Sequence, residues 1–246
     1  MRLERKDTWI ETHYESNDIY GYKGFCPGLI CRHKHYAVGK VFEESGASQC
    51  CSAGVMHYCK HPYDVFDWYQ PYIIENGISE YALVKPLGDI CCGERKYATN
   101  KLEIVKKLSL REMLEIGSLI PRTIYKPIEF SFEDGWSSKV DNYSRGMVVV
   151  GGSKNSIECG SGTHGAVYYF GSDGKAVIDS NMASVFLIGD GINLRLEGAF
   201  NVVYVAGRDC SVKIDGNCNS VCLDKDNLNP TIDISGGEDN ILQYMY

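Results

Sequence analysis

Nine cysteines and histidines crowd into residues 26–61: Cys26, Cys31, His33, His35, Cys50, Cys51, His57, Cys59 and His61. These are the ligand types of zinc, which takes four of them in a tetrahedron, commonly as two close pairs. The spacings here, C-x4-C-x-H-x-H and C-C-x5-H-x-C-x-H, do not give two short knuckles. Alternating Cys and His positions on a strand also fall on one face. Buried thiols with surface histidines are therefore the expectation, and neither zinc nor any other metal is assigned. A second chemistry is nucleophilic. On a strand, His57 and Cys59 point to the same side and could touch, yet no third group that would orient the imidazole is identifiable. The glycine-rich segments Gly151-Gly152 and Gly160-Ser161-Gly162 lack the Lys-Ser/Thr and the helix of a phosphate loop, and read as corners.

Composition bounds what these residues can serve. The chain has 246 residues with 25 Lys+Arg against 32 Asp+Glu, a net charge of -7. That is the wrong sign for a protein whose affinity comes from neutralising phosphates, so general nucleic-acid binding is not expected. No apolar run approaches the roughly 18 residues that span a bilayer, and the start is charged with no apolar stretch behind it. No membrane association and a cytoplasmic location in a bacterial cell are expected. Eleven cysteines are an odd count, and Cys50-Cys51 and Cys91-Cys92 are vicinal. A reducing compartment suits them better than a disulfide framework, with most thiols packing as small hydrophobes.

The elements that must position these residues fall into two halves. Residues 1–120 read as an α+β domain. Strands are expected over 20–25, 35–43, 81–86 and 101–106. His61-Pro62-Tyr63-Asp64 opens a helix, with proline in the first turn, that runs to Pro71. Ser109 with Glu112 three residues on is a capping box, so a second helix starts there. Residues 121–144 form either a strand pair or a tether, and are read as the connection.

Residues 145–246 carry most of the acidity, with seven Lys+Arg against twelve Asp+Glu. Short Val/Ile-rich runs recur about every nine residues, and apolar and polar side chains alternate within most of them, as in Val212-Lys213-Ile214-Asp215. That is the period of a strand with one buried face. Val167, Val185, Val203 and Val221 stand 18 apart, as expected if equivalent positions stack in successive coils. The fold expected is a β-solenoid, with an antiparallel β-sandwich as the alternative that Asp173-Gly174, Asp190-Gly191 and Asp215-Gly216 keep open. A coil stack needs covered ends, and the preceding domain and Tyr244-Met245-Tyr246 are the candidates. The fixed-aspartate nonapeptide of calcium-binding coils is not repeated, so calcium is not expected.

Several stretches together carry a resemblance. They are Gly21-Tyr22-Lys23-Gly24-Phe25, then Tyr36-x-Val38-Gly39-Lys40-Val41-Phe42-Glu43, then His57-x-Cys59-x-x-Pro62-x-Asp64-Val65-Phe66, and finally Thr99-Asn100-Lys101-Leu102-x-Ile104-Val105. Over roughly residues 20–115 the chain resembles an uncharacterised domain family common in phage and prophage genomes, some members of which continue into tandem repeats. The resemblance implies a phage or mobile-element setting and brings no established activity. A looser likeness is to the half-site of ADP-ribosyltransferases. In that likeness the strand bearing Tyr22 and Lys23 would bring Lys23 to the phosphates of NAD. Tyr58 or Tyr69 would stack on the nicotinamide, and a carboxylate such as Glu103 would stabilise the oxocarbenium-like transition state. No Glu-x-Glu pair stands at a strand end.

The function expected is a non-catalytic interaction module. The leading domain, held on the acidic solenoid, would bind a host or phage protein without a cofactor, and the solenoid could mediate self-association. The alternative is an NAD-using ADP-ribosyltransferase. Candidate binding residues are Tyr22, Lys23, His57, Tyr58, Tyr69 and Glu103, and no catalytic residue is assigned.

Overall fold

A computed structural model describes residues 20–46, 54–73, 77–93, 95–120, 128–141, 146–224 and 229–244. The chain divides into two compact units, 1–122 and 123–246. Cys50 and Cys51 lie outside the described residues, as do Met245 and Tyr246. None of the described helices is long and apolar enough to cross a membrane.

The first unit is β-rich. Strands Gly21–Phe25, Glu80–Pro86, Lys101–Leu108 and Val41–Glu43 form an antiparallel sheet in that order. Met56–Tyr58, Tyr97–Thr99 and Ile90–Cys92 form a second. The two meet where Tyr22 and Cys59 exchange main-chain hydrogen bonds of 2.7 and 2.8 Å. Every residue of Gly21–Phe25 is buried, and its glycines explain how. A Cβ on Gly24 would lie 2.5 Å from Cβ of Tyr69, and one on Gly21 would overlap the Tyr58 ring. Both aromatic rings can therefore lie flat on the strand backbone.

The expected strand over 35–43 is broken. His35 ends a short hairpin strand and the ladder resumes at Val41, because the chain turns at Gly39, whose φ of +74° suits a residue without a Cβ. The Gly39 N–H reaches the Ile104 carbonyl at 2.7 Å, so the turn is pinned to the sheet. The helix expected to reach Pro71 is the single turn Pro62–Val65, continued by turns. All four of its residues are buried, and His61 caps it by accepting the Tyr63 N–H at Nδ1, 3.1 Å. The second helix, Leu110–Leu119, has the capping box in full: the Glu112 N–H donates to Ser109 Oγ and the Ser109 N–H to Glu112 Oε2.

The second unit is a parallel β-solenoid. Among the described residues its two sheets have seven and six strands, and each strand pairs in parallel register with its counterpart one coil on. Parallel pairing excludes the sandwich, whose hairpins demand antiparallel neighbours. Val148, Val167, Val185, Val203 and Val221 stack directly, all at 0 or 1 % exposure. The connecting segment resolves toward its strand-pair alternative. Ile128–Ser131 pairs with Met147–Val150 and Ser137–Asp141 with Ser156–Thr163, so these residues are the first coil and not a tether. An asparagine ladder, buried at Asn201 and Asn219, runs up one corner: Asn201 Nδ2 donates to Asn219 Oδ1 at 3.0 Å, and Asn219 Nδ2 to Asn240 Oδ1 at 3.1 Å. Tyr168 and Phe186 stack at 4.9 Å and 7° on another face. At the far end Ile241 and Tyr244 are exposed.

Candidate functional site

In the first unit, strand Gly21–Phe25 and the Met56–Tyr58 sheet enclose a cleft of about 310 Å³. Lys23 lies on its floor. Its side chain is buried, and Nζ donates to the His57 carbonyl at 3.0 Å and to Cys31 Sγ at 3.5 Å. The same nitrogen lies 5.2 Å from the Phe25 ring centre and 5.7 Å from that of Tyr36, within range of cation–π attraction. Burial pushes the Lys23 ammonium below the usual lysine range; the nearby Cys31 opposes that shift and the Arg32 charge adds to it.

Arg32 and Lys96 also line the cleft, with Lys96 Nζ 4.3 Å from the centre of the Trp68 ring. Glu44 is the one carboxylate among the described residues of the lining, and it is already ion-paired with Lys34. Three cations thus face one neutralised carboxylate in a chain whose net charge is -7. Field lines concentrate in such a concavity and favour an incoming anion.

His57 reports the same field. Burial lowers its pKa to about 4, and the charges of Lys96, Lys23 and Arg32 push further in that direction. The imidazole is neutral at pH 7. Its Nε2 is enclosed and has no hydrogen-bond partner among the described residues. An enclosed polar atom left unsatisfied costs about 1–3 kcal/mol, so a ligand that supplies the partner recovers that energy.

Five of the six residues singled out from sequence, Tyr22, Lys23, His57, Tyr58 and Tyr69, line this one cleft. Glu103 is not among the described lining residues; it sits on Lys101–Leu108, opposite Lys85 on one side and Val41 on the other. The carboxylate that an NAD-dependent transfer needs is therefore not brought to Lys23 by that residue. Sequence reasoning missed Cys31, Arg32, Tyr36, Trp68 and Lys96 as members of the site. Arg32 and Cys31 follow a Cys-Pro-Gly turn, and the turn was the available signal. The hairpin of Ile30–Cys31 with Lys34–His35 swings them back over the first strand.

The His57–Cys59 pair does not form a nucleophile and base. Cys59 is buried, and burial, with the Asp64 charge second, pushes its thiol up to about 12. A different sulfur is better placed: Cys31 Sγ accepts from Lys23 Nζ and from Tyr69 Oη, the latter at 3.2 Å. No three His, Cys, Asp or Glu side chains converge as a metal site among the described residues.

Residues 19–116 match a family described as a domain of unknown function, DUF7666. That domain contains the whole described lining of the cleft. Comparisons with curated proteins and with solved structures return no match.

Proposed function

We propose that the chain is a non-catalytic recognition module in which the cleft of the leading unit grips an acidic group of a partner protein and the solenoid serves as a rigid, acidic support. The observation that carries this reading is His57 Nε2: an enclosed nitrogen without a partner among the described residues, near the charges of Lys96, Lys23 and Arg32. A carboxylate entering the cleft accepts from the Lys23 ammonium, the Arg32 guanidinium and the Nε2–H tautomer of His57. The aromatic side chains of Tyr36, Tyr58, Tyr69 and Trp68 cover its apolar stem. The phage-like sequence pattern supports a host or phage protein inside a bacterial cell as the partner, and the long parallel stack suits display and self-association.

The test is calorimetric titration of the full chain with a peptide that carries an aromatic residue beside two aspartates, set against the same peptide with asparagines. Binding of the acidic peptide alone, weakened by added salt, supports the reading. Equal binding of both peptides, or of neither, contradicts it. Incubation with NAD and lysate, followed by mass spectrometry for ADP-ribose adducts, tests the rival enzymatic reading, and adducts that depend on Lys23 would favour it.

A further inference from the structure

Lys23 is the one buried lysine among the described residues, at 4 % exposure. A lysine so placed is ordinarily paired with a carboxylate. Among the described residues this one is not: its Nζ has the His57 carbonyl at 3.0 Å and Cys31 Sγ at 3.5 Å, and Glu44, the carboxylate of the lining, is held by Lys34. Removal from water and a second cation close by are the two settings that make a lysine amine a nucleophile. Lys23 has both, since burial lowers its pKa and the Arg32 charge acts in the same direction against the opposing Cys31. The fraction of free amine at neutral pH rises accordingly. Around that amine the cleft offers a place for an anionic ligand. Arg32 and Lys96 line it, and His57 Nε2 is enclosed without a partner among the described residues. At about 310 Å³ the cavity lies at the lower end of small-molecule pockets, which suits a ligand of few heavy atoms.

We propose that the cleft captures small anionic carbonyl compounds, of the 2-oxo acid type, as an imine on Lys23. The free amine adds to the carbonyl carbon, forming the C–N bond as the C=O π bond opens. An amine proton passes to the oxygen and gives a carbinolamine. The hydroxyl then leaves with a second proton as water, and the C=N bond closes. One carbonyl compound is bound and one water released, with no oxidant or reductant consumed, so the capture is reversible. The Nε2–H tautomer of His57 can donate to the carbonyl oxygen, and Arg32 and Lys96 hold the carboxylate. A protonated imine keeps its positive charge where Nζ now stands, 5.2 Å from the Phe25 ring centre and 5.7 Å from that of Tyr36. The selectivity for an anion rests on the anion-accepting reading of the cleft. A captured ligand occupies the same cations and so competes with the partner.

The experiment uses the full chain with glyoxylate as the anionic carbonyl compound and acetaldehyde as the neutral one, each with cyanoborohydride, which reduces an imine to a stable secondary amine. Adducts are mapped by peptide mass spectrometry, and each rate is divided by that of the same reagent with an N-acetylated lysine peptide. The normalised rate at Lys23 is expected to be at least about tenfold higher with glyoxylate than with acetaldehyde, the scale of electrostatic steering. With glyoxylate, Lys23 is expected to react ahead of the exposed Lys40 and Lys154. Arg32→Gln with Lys96→Gln is expected to bring the two normalised rates at Lys23 together. Adducts at Lys40 and Lys154 with none at Lys23, or equal normalised rates for the two reagents in the unaltered chain, overturn the proposal. In either case, retained binding of the acidic peptide shows that the cleft reading survives and the imine inference alone has failed.

Discussion

Lys23 Nζ donates to the main-chain carbonyl of His57 at 3.0 Å, across 34 residues of chain. This bond joins the floor of the cleft to its wall, and it holds a cation beside an imidazole that is kept neutral. Both residues belong to sheets whose backbones meet at Tyr22 and Cys59, so the spacing between them is set by main-chain pairing and not by a flexible loop.

Replacing Lys23 by methionine keeps a chain of similar volume and removes the buried charge. The ammonium is disfavoured by its burial, so the variant is expected to fold with a melting temperature equal to or above that of the unaltered protein. Affinity for the acidic peptide is expected to fall by about tenfold or more, the worth of one charge-assisted hydrogen bond. Calorimetry together with a thermal melt checks both. A misfolded variant with unchanged peptide affinity per folded molecule contradicts the account.

His57 makes stability depend on pH in a defined direction. Its folded-state pKa of about 4 lies below the ordinary histidine value of 6.5, so the unfolded chain binds the proton more readily between those values. Its contribution to stability is complete above about pH 6.5 and is lost as pH falls toward 4. Because His57 is only partly buried, solvent screening reduces the loss to the order of 1–2 kcal/mol. Urea unfolding at pH 7 and pH 4.5 measures it, and His57→Gln is expected to flatten the difference between the two.

The thiols divide by burial. Cys59 and Cys159, both raised to about 12 by burial, are expected to resist iodoacetamide at pH 8 in the native protein, whereas exposed Cys92 alkylates. Peptide mapping after a timed exposure reads this directly. Alkylation of Cys59 as fast as Cys92 would show that the sheet junction at Tyr22 opens.

Solenoid stability rests on the corner ladder. Asn219 accepts the Asn201 N–H at 2.9 Å and donates to the Gly198 carbonyl at 3.1 Å, so Asn219→Ala leaves enclosed groups on two coils without partners. A loss of about 3 kcal/mol is expected in denaturant unfolding. Gly189→Ala is expected to cost at least as much, because its Cβ would overlap the Gly171 carbonyl oxygen.

The solenoid was legible because its period is imposed by stacking. Val167 and Val185 must occupy the same place in successive coils, and the sequence repeats accordingly. Its first coil was hidden because Ile128–Ser131 and Ser137–Asp141 lie next to residues rich in proline and charge, where the valine stack has not yet begun. In the leading unit, capping chemistry at Ser109 is local and could be read, whereas the length of the helix after His61 depends on how Tyr63 packs against Leu110–Leu119. The cleft was half legible. Lys23 stands out between Tyr22 and Gly24, and Tyr58 and Tyr69 as candidate stacking aromatics. Arg32 reaches it through a hairpin and Lys96 from beside Tyr97, the cross-strand partner of Tyr58, and sequence distance does not reveal that convergence.

The central claim is that the enclosed nitrogen of His57 receives an anion. Titrating the ¹⁵N-labelled full chain with benzoate at pH 7, and following the His57 imidazole nitrogens, tests it most directly. The account predicts a saturable shift of Nε2 that Lys23→Met abolishes. An Nε2 resonance unmoved by benzoate, or moved equally in the Lys23→Met variant, contradicts it.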